Sequence, residues 1–533
     1  MNEFTGTATL TRFAIRRDRV LLPVWTLAFT LLTVVSASAT MALYPTEASR
    51  ITAATAVNDV PVAVAIYGRI WDPTSLGALS LLKLAAMGGV MIGVLAIMLM
   101  TRHLRGEEEK GRTELLGAAP IGNFAALASA FIVTMAALIS IGVLSAAGLT
   151  LVGLPLTGSV AFGLSWIAMG ASFAAIAAIT NQLTVSARTA NSIAMIVLGA
   201  AYLLRAVGDV LGDAAGPSWL SWISPIGWGQ QVRPFAGDRF IVLLIPIIFT
   251  LIYLAVASRL QSLRDLGGGL IPERVGRAQA SGLLASPLGL AWRLQYPMLI
   301  GWLIAYIVFS AVIGSIINDL SAMFDTPQAQ QFIAALGGSV NMMNSFIAME
   351  FGIIAFITAA YGIVTVRRLT SEESSGHAEV ILATHTSRHS FAMSHLWIAL
   401  LGTMVLTVVQ GVVFAYASAV QTGNFDQVGS TIQASLVTLP AIWVMIAVVV
   451  TSYGFNSRFT IFAWILMVAF LLVAELGSLL SWPQWLMNTS PFVHIPKLPA
   501  AMMDWTPMFW LTAIAVFLVA FGLIRLQRRD IQG

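Results

Sequence analysis

The chain has 533 residues, of which 58% are hydrophobic and only 10% are charged. Soluble domains carry about 25% charged residues, so this composition excludes an ordinary soluble protein. The sequence has no cysteine, which excludes disulfides, thiolate nucleophiles and cysteine-based metal sites. The net charge of +4 comes from basic residues at the ends of apolar runs, a pattern typical of membrane topology rather than of nucleic-acid binding.

Apolar runs of 18 or more residues recur along the chain, and each could cross a hydrocarbon core of ~30 Å as a helix. Alternating segments of about ten residues, which mark a transmembrane β-barrel, are absent. We therefore predict an all-α polytopic membrane protein with twelve transmembrane helices. The predicted spans lie near residues 20–43, 80–101, 122–148, 156–181, 189–209, 239–258, 296–317, 346–366, 393–418, 430–452, 458–479 and 507–524.

Basic residues between the runs predict the orientation of the chain. With the N-terminus inside, 21 of the 28 Lys and Arg residues fall in cytoplasmic segments, as the positive-inside rule requires. Both termini are therefore predicted to be cytoplasmic.

The second half of the chain repeats polar landmarks of the first. Ser224-Pro225 returns as Ser490-Pro491, and RLQSLRD after the sixth span returns as RLQRRD near the C-terminus. Ordered landmarks at a nearly constant offset indicate two parallel six-helix repeats, related by an axis along the membrane normal. The predicted domains are a first half at 1–258, a cytoplasmic linker and connecting segment at 259–292, and a second half at 293–533.

Charged segments follow the second and the eighth predicted span. They read RHLRGEEEKGRTE from Arg102 and RRLTSEESSGHAE from Arg367. As a helix, each would place two acids and a glycine on one face, and a glycine there would let another surface approach the backbone. Because Glu contributes little to topology, we predict docking to a cytoplasmic partner; the alternative is a solvated loop helix. The recurring residues are Glu107, Glu108, Gly111 and Glu114 in the first segment, and Glu372, Glu373, Gly376 and Glu379 in the second.

The pattern R-x-L-x-x-E-E-x-x-G-x-x-E, after the second span of a six-span unit, resembles the cytoplasmic elbow of ABC-2-type exporter permeases. The doubled form is similar to the fused permeases of actinobacterial antibiotic-resistance exporters, the tetronasin-resistance type, and to related mycobacterial multidrug-efflux permeases. The resemblance spans the full chain and implies a type V ABC exporter-like fold. It also implies that the recurring elbow residues form coupling helices that fit a groove on an ATPase subunit. Ser375 and His377 replace Lys110 and Arg112 in the second copy, so equal attachment of the two elbows stays open.

The same resemblance implies an amphipathic connecting helix on the inner leaflet at the start of each half. It would comprise residues 5–18 and 286–296, with Arg16, Arg17 and Arg293 among its basic residues. Basic residues interleaved with apolar ones suit a membrane surface. A basic topology anchor is the alternative interpretation, and the two roles are compatible.

A nucleotide-binding P-loop needs a Gly-rich backbone and a Lys followed by Ser or Thr. The three lysines, Lys83, Lys110 and Lys497, are followed by Leu, Gly and Leu. We therefore expect no Walker A motif, no catalytic residue and no cofactor in this chain. ATP and Mg²⁺ would bind a separate ABC ATPase subunit, in two copies against one double-length permease.

Four charged residues lie inside or at the outer edge of predicted spans: Lys83, Arg205, Glu350 and Glu475. A charge at the bilayer centre costs ~2.5–3.5 kcal/mol on insertion scales, so each is expected to face a partner or a wet cavity. The repeat places Arg205 opposite Glu475, and we hypothesise that such opposite charges pair across the repeat axis at a gate or translocation path. The alternative is that each side chain extends to the outer surface.

Two Trp- and Pro-rich segments, SWISPIGWGQQVRPFAGD and NTSPFVHIPKLPAAMMDW, follow the fifth span of each half. Trp is favoured at membrane interfaces, which predicts an interfacial belt. The family resemblance instead implies short re-entrant or extracellular helices.

A metal site is not predicted, because His385 and His389 at i, i+4 have no third ligand at a suitable spacing.

These patterns predict a multi-pass permease of the cell membrane that exports amphipathic small molecules, such as antibiotics or lipids, and is driven by a partner ATPase. A proton-coupled secondary multidrug carrier with two six-helix halves is the alternative. A structural or receptor membrane protein is a third class. The expected partners are the ATPase, the lipid bilayer and the substrate, with no nucleic acid.

Overall fold

The computed structural model describes residues 3–112, 120–213, 216–265, 267–271, 279–324, 342–476 and 482–529. The chain divides into two compact units, Met1–Val275 and Gly276–Gly533. Within the described residues, every regular element is a helix or a helical turn. In lipid, a helix satisfies its own backbone hydrogen bonds, which explains why so apolar a chain adopts this structure alone.

The first unit is built from helices that run from the N-terminal segment to the sixth span. A π-helical turn at Leu84–Gly88 and two 3₁₀ turns, Ser221–Ile223 and Phe240–Leu243, lie between them. The helices are α1 (Thr7–Arg17), α2 (Leu21–Leu43), α3 (Glu47–Asn58), α4 (Pro61–Tyr67), α5 (Leu76–Ser80), α6 (Gly89–His103), α7 (Arg105–Glu108), α8 (Ala125–Leu151), α9 (Leu156–Leu183), α10 (Ala187–Val210), α11 (Pro225–Gln231) and α12 (Leu244–Ser262).

The second unit contains the remaining helices. Three 3₁₀ turns, Gly282–Ala285, Ser457–Ile461 and Pro491–His494, lie before or between them. The helices are α13 (Pro287–Phe324), α14 (Met342–Ser374), α15 (His377–Leu382), α16 (Arg388–Thr422), α17 (Val428–Leu436), α18 (Leu439–Phe455), α19 (Phe462–Leu476), α20 (Gln484–Met487) and α21 (Trp505–Gln527).

Twelve helical segments in the described part of the chain are long and apolar enough to cross a membrane, and each overlaps one predicted span. The prediction of an all-α polytopic membrane protein is therefore confirmed. Six of these segments fall in each unit. The orientation of the termini and the symmetry between the halves stay predictions.

Each unit is organised around one central span. In the first unit, 83% of the apolar window of α9 is buried, against 22% for α2. In the second unit, 72% of the window of Val428–Phe455 is buried. Small residues allow this packing: a Cβ added at Gly454 of α18 would lie 2.2 Å from the carbonyl oxygen of Gly522 on α21. Close backbone contact of this kind is how helices associate in lipid.

The two units begin differently. In the first unit α1 ends at Arg17, and α2 starts separately at Leu21. In the second unit the predicted connecting segment 286–296 and the first span form one helix, α13, that continues through Pro297.

The Trp- and Pro-rich segments also differ between the two units. All seven residues of α11 are buried inside the first unit, as a re-entrant helix would be, whereas in the equivalent turn of the second unit, Pro491–His494, Pro491 and Phe492 alone are buried.

Candidate functional site

The two charged segments form elbows at the ends of the second span of each unit. In the first elbow, residues 102–112, α6 ends at His103 and a single turn, α7, follows after a backbone break at Leu104. In the second elbow, residues 367–382, α14 continues to Ser374 and α15 follows. The structure therefore gives each elbow a helix break that the predicted continuous helix did not contain.

The recurring glycines lie at or after these breaks: Gly376 separates α14 from α15, whereas Gly111 follows α7 and the break at Leu104. Gly111 has φ +66° and Gly376 has φ +75°, left-handed values that end a helix and that glycine adopts without steric cost. A Cβ added at either position would meet no atom within 4 Å among the described residues, its two chain neighbours apart. The predicted helical face that joins Glu372, Gly376 and Glu379 is therefore wrong, because the helix ends before the glycine. Glu114, the last member of the first set, lies outside the described residues.

The second glutamate of the first elbow points into the protein. Arg264, just beyond α12, donates to both carboxylate oxygens of Glu108, from Nη2 at 2.5 Å and from Nη1 at 2.9 Å. Arg105 donates to the same carboxylate at 2.6 Å. All three side chains are at most 9% exposed. A charge-assisted, bidentate pair in this setting fixes both distance and angle between the elbow and the sixth span.

The second elbow contains the equivalent pair. Arg529, just beyond α21, donates to Glu373, whose side chain is 2% exposed. Arg529 also donates to the carbonyl oxygen of Tyr453 and lies over its ring at 4.8 Å. Glu373 follows Glu108 by the same number of residues by which Arg529 follows Arg264. We call the pairs Glu108–Arg264 and Glu373–Arg529 the elbow clamps.

The first glutamate of each elbow makes a looser set of contacts. Glu107 pairs with Arg17 of α1 and, at 3.3 Å, with Arg112. Its counterpart Glu372 pairs with Arg368 at 2.9 Å and with His377 at 3.3 Å. The first elbow is thus tied to the connecting helix, whereas the described contacts of Glu372 stay within the second elbow.

Asp18, which the sequence did not single out, joins α1 to the first elbow. Its carboxylate is fully buried, and it accepts a hydrogen bond from Arg102 at 2.7 Å. His103 Nε2 lies 2.9 Å from the other carboxylate oxygen, and His103 Nδ1 lies 3.0 Å from Arg17. Because Arg17 can only donate, Nδ1 accepts and the ring proton is on Nε2, which lies beside Asp18 without making a hydrogen bond to it. The elbow and the connecting helix therefore form one hydrogen-bonded body.

Other elbow side chains are available to a partner. Glu109 and Lys110 are exposed in the first elbow, and Glu379 is exposed on α15 of the second. Val380, beside Glu379, is 72% exposed. The two clamp glutamates are buried, so a partner would meet these neighbouring side chains rather than Glu108 or Glu373. Of the predicted connecting-helix residues, Arg16 and Arg293 are exposed, and Arg293 lies over the Tyr296 ring at 5.7 Å.

The four intramembrane charges have different surroundings. Arg205 is fully buried and pairs with Asp209 at 3.3 Å in its own unit. Lys83 is exposed, and Glu350 is half-buried. The side chain of Glu475 lies outside the described residues, so its pairing with Arg205 stays a prediction. No group of three or more metal-ligating residues occurs within the described ranges.

The fold and the paired elbows define a multi-pass membrane protein built from two six-span units. Residues 284–527 match the family model of the multidrug efflux system permease Rv1217c, C-terminal domain. The chain is also 37% identical over 532 residues to the multidrug efflux system permease protein Rv1217c of Mycobacterium tuberculosis, covering 99% of this chain and 96% of that protein. The chain therefore belongs to the Rv1217c family of multidrug efflux system permeases.

Proposed function

We propose that this permease is the transmembrane subunit of an ATP-driven exporter whose ATPase is a separate polypeptide. The observation that carries the proposal is the elbow clamp, built at equivalent positions in both units. An elbow that merely connected the second and third spans would not need a buried ion pair to the sixth span. An elbow that receives force does need one, because a stiff joint passes displacement on to the helices behind it.

The clamp would connect one external surface to two spans at once. The first elbow continues α6, and Glu108 joins it to the end of α12 through Arg264. The second elbow continues α14, and Glu373 joins it to the end of α21 through Arg529. A partner that moves an elbow would therefore tilt the second and the sixth span of that unit together. One elbow in each unit fits two ATPase copies on one permease.

The substrate class follows from the spans and from the relative. The spans are mostly aliphatic, and the chain contains 22 methionines, whose flexible side chains adapt to varied apolar ligands. The Mycobacterium tuberculosis relative is named as a multidrug efflux permease. We infer that this chain exports amphipathic small molecules, drugs or lipids among them.

A proton-coupled carrier is the rival function. Such a carrier would use titratable groups inside its spans, and half-buried Glu350 on α14 is the observation that favours it. The two functions differ in their driving force. Inhibition of efflux by vanadate with an intact proton gradient supports the ATPase, and efflux that collapses with the gradient alone supports the carrier.

Attachment of the ATPase is tested on exposed elbow residues. The variant Glu379→Lys with Val380→Asp reverses a charge and removes an apolar contact without touching either clamp. We expect it to lose co-purification with the ATPase and vanadate-sensitive efflux. The matched control, Asp426→Lys with Val420→Asp, makes the same changes on exposed residues at the opposite end of α16. Equal attachment by both variants would refute the proposed docking surface.

A further inference from the structure

A buried polar cluster lies at the end of the first unit opposite the elbow. Helix α10 shows the distance between them: the amide of Ala187, its first residue, donates to Glu109 of the elbow at 2.6 Å. The helix is 24 residues long, so its far end lies about 35 Å away. There, near Asp209, the segment after α4 and the segment after α11 surround a cavity of about 50 Å³.

One carboxylate in the cavity wall is already neutralised. Asp209 pairs with Arg205 at 3.3 Å through one oxygen and accepts from Ser221 at 2.8 Å through the other. Arg205 also donates to the carbonyl oxygen of Ile66 at 3.1 Å. Both carboxylate oxygens of Asp209 are therefore engaged, and its single charge, paired with Arg205, also attracts Arg69.

Two further arginines line the same cavity. Arg233 is 8% exposed, and no ion pair within the described ranges involves it. Its Nε donates to Gln231 at 3.2 Å, and its guanidinium carbon lies 3.6 Å from the centre of the Trp71 ring. Among the described residues, Arg69 makes one long hydrogen bond, 3.4 Å, to the carbonyl oxygen of Gly212. The wall thus holds two positive charges in excess.

The backbone conformation of Arg233 is energetically unfavourable. Its φ is +50°, a left-handed value that non-glycine residues seldom adopt. Burial, and then the charge of Arg239, lower the pKa of Arg233 to about 10, so the guanidinium is still a cation at neutral pH. A buried cation and strained backbone together indicate a function rather than a packing solution.

We propose that this cavity binds the carboxylate group of an amphipathic molecule, with Arg233 and Arg69 as its charge partners. The planar guanidinium of Arg233, supported on Trp71, offers two parallel N–H groups, which suits a carboxylate. The cavity has room for the anionic group alone, and the apolar body of the ligand would extend beyond it. The proposal rests on the proposed export function in one respect: it takes the ligand to be a transported molecule that binds at the outer end of the permease.

Binding is tested without any ATPase, so that failure of this site is distinguishable from failure of the proposed function. The full chain, in phosphatidylcholine nanodiscs, is titrated with pyrenebutyrate and with its uncharged methyl ester, and the signal from empty nanodiscs is subtracted. We expect the acid to bind at least about tenfold more tightly than the ester, the discrimination expected for a charge-assisted pair. Equal affinities for acid and ester would overturn the proposal.

The variants assign the effect to Arg233. Arg233→Gln should lose about tenfold in affinity for the acid and nothing for the ester. Arg188→Gln is the matched control: it removes the same charge from an exposed position near the opposite end of α10 and should leave both affinities unchanged. If Arg233→Gln does not fold, Arg69→Gln serves in its place, and unchanged binding of the acid by that variant would overturn the proposal.

A free small anion could use the same chemistry. Acetate is therefore added as a competitor. Displacement of pyrenebutyrate only at acetate concentrations far above that of the probe supports an amphiphile site. Displacement by acetate at equal concentration would show a site for small anions and would overturn the proposed ligand class.

Discussion

Arg264 donates two hydrogen bonds to the carboxylate of Glu108, a residue 156 positions earlier in the chain, and Arg529 donates one to Glu373 across the same separation. Both pairs join the end of a second span to the end of a sixth span. A contact between residues so distant in sequence, made once in each unit, identifies the joint through which motion of an elbow would reach the rest of its bundle.

The first prediction concerns Glu108. Glu108→Gln would leave Arg264 and Arg105 buried without a carboxylate, and we expect a loss of about 3–5 kcal/mol in stability. Glu109→Gln is the control, because this neighbour is exposed and its amide oxygen can still accept from Ala187. The thermal unfolding midpoint of the purified chain measures both. Similar midpoints for the two variants would contradict the assigned burial.

The second prediction concerns the clamp of the second unit as a pair. In a double-mutant cycle of Glu373→Gln and Arg529→Gln, we expect a coupling energy of about 1–3 kcal/mol, because the two groups contact each other directly. Arg528→Gln, which changes the exposed neighbour, should show no coupling to Glu373→Gln. Additive effects of Arg529→Gln and Glu373→Gln would mean that the pair does not form.

Asp18 supplies the third prediction. In Asp18→Asn the new amide can still accept from Arg102, but it carries no charge and no longer forms ion pairs with Arg102 and Arg17. We expect a loss of about 1–3 kcal/mol in stability, because a hydrogen bond to a charged group is stronger than one to a neutral group. The exposed change Asp426→Asn is the reference, and denaturation of both variants in detergent gives the comparison. A neutral Asp18→Asn would remove Asp18 from the elbow network.

The elbow glycines give the fourth prediction. Gly111→Ala and Gly376→Ala would each place a Cβ on left-handed backbone, at a cost of about 1–2 kcal/mol. Gly429→Ala is the matched control, since it also has open space around its Cβ but lies in α17. A helical Gly→Ala change stabilises by about 0.5–1 kcal/mol, so the two kinds of variant should differ in sign. Unfolding midpoints that all move in the same direction would contradict the assigned conformations.

The fifth prediction separates two partners for Arg205. If Asp209 is its structural counter-ion, Asp209→Asn should destabilise the chain, whereas Glu475→Gln should affect efflux alone. If Arg205 also pairs with Glu475 during transport, exchanging these two charges should restore the efflux that either single reversal abolishes. Efflux by the exchanged variant no better than by the single variants would exclude the pairing with Glu475.

The spans were predictable because the membrane imposes a length and a hydropathy on each helix, and both can be read locally. The acids of the elbow were predictable as a recurring pattern, but their directions were not. Whether Glu108 faces inward depends on the backbone break at Leu104 and on Arg264, which is distant in sequence. Neither the backbone break nor the position of Arg264 can be read from the sequence of the segment.

A signal for the clamps did exist in the sequence. The RLQ motifs that begin at Arg259 and Arg525 align at one offset, whereas Arg264 and Arg529 align at another that is one residue shorter. That shorter offset is the one shared by Glu108 and Glu373, so the signal is that both charged residues are kept in both halves; because every matched elbow residue shares this offset, it does not specify which residues are in contact. Asp18 gave no comparable signal, because a single acid among basic residues also fits a topology anchor.

The break between α1 and α2 has a mechanical consequence. In the first unit the surface helix is a separate piece bonded to the elbow, while in the second it is the first part of a 38-residue rod. The same displacement applied to the two elbows would thus meet unequal stiffness. In the first unit the surface helix can turn relative to the first span, whereas in the second unit the two are one continuous helix. The two units would then respond differently even if identical partner subunits acted on them.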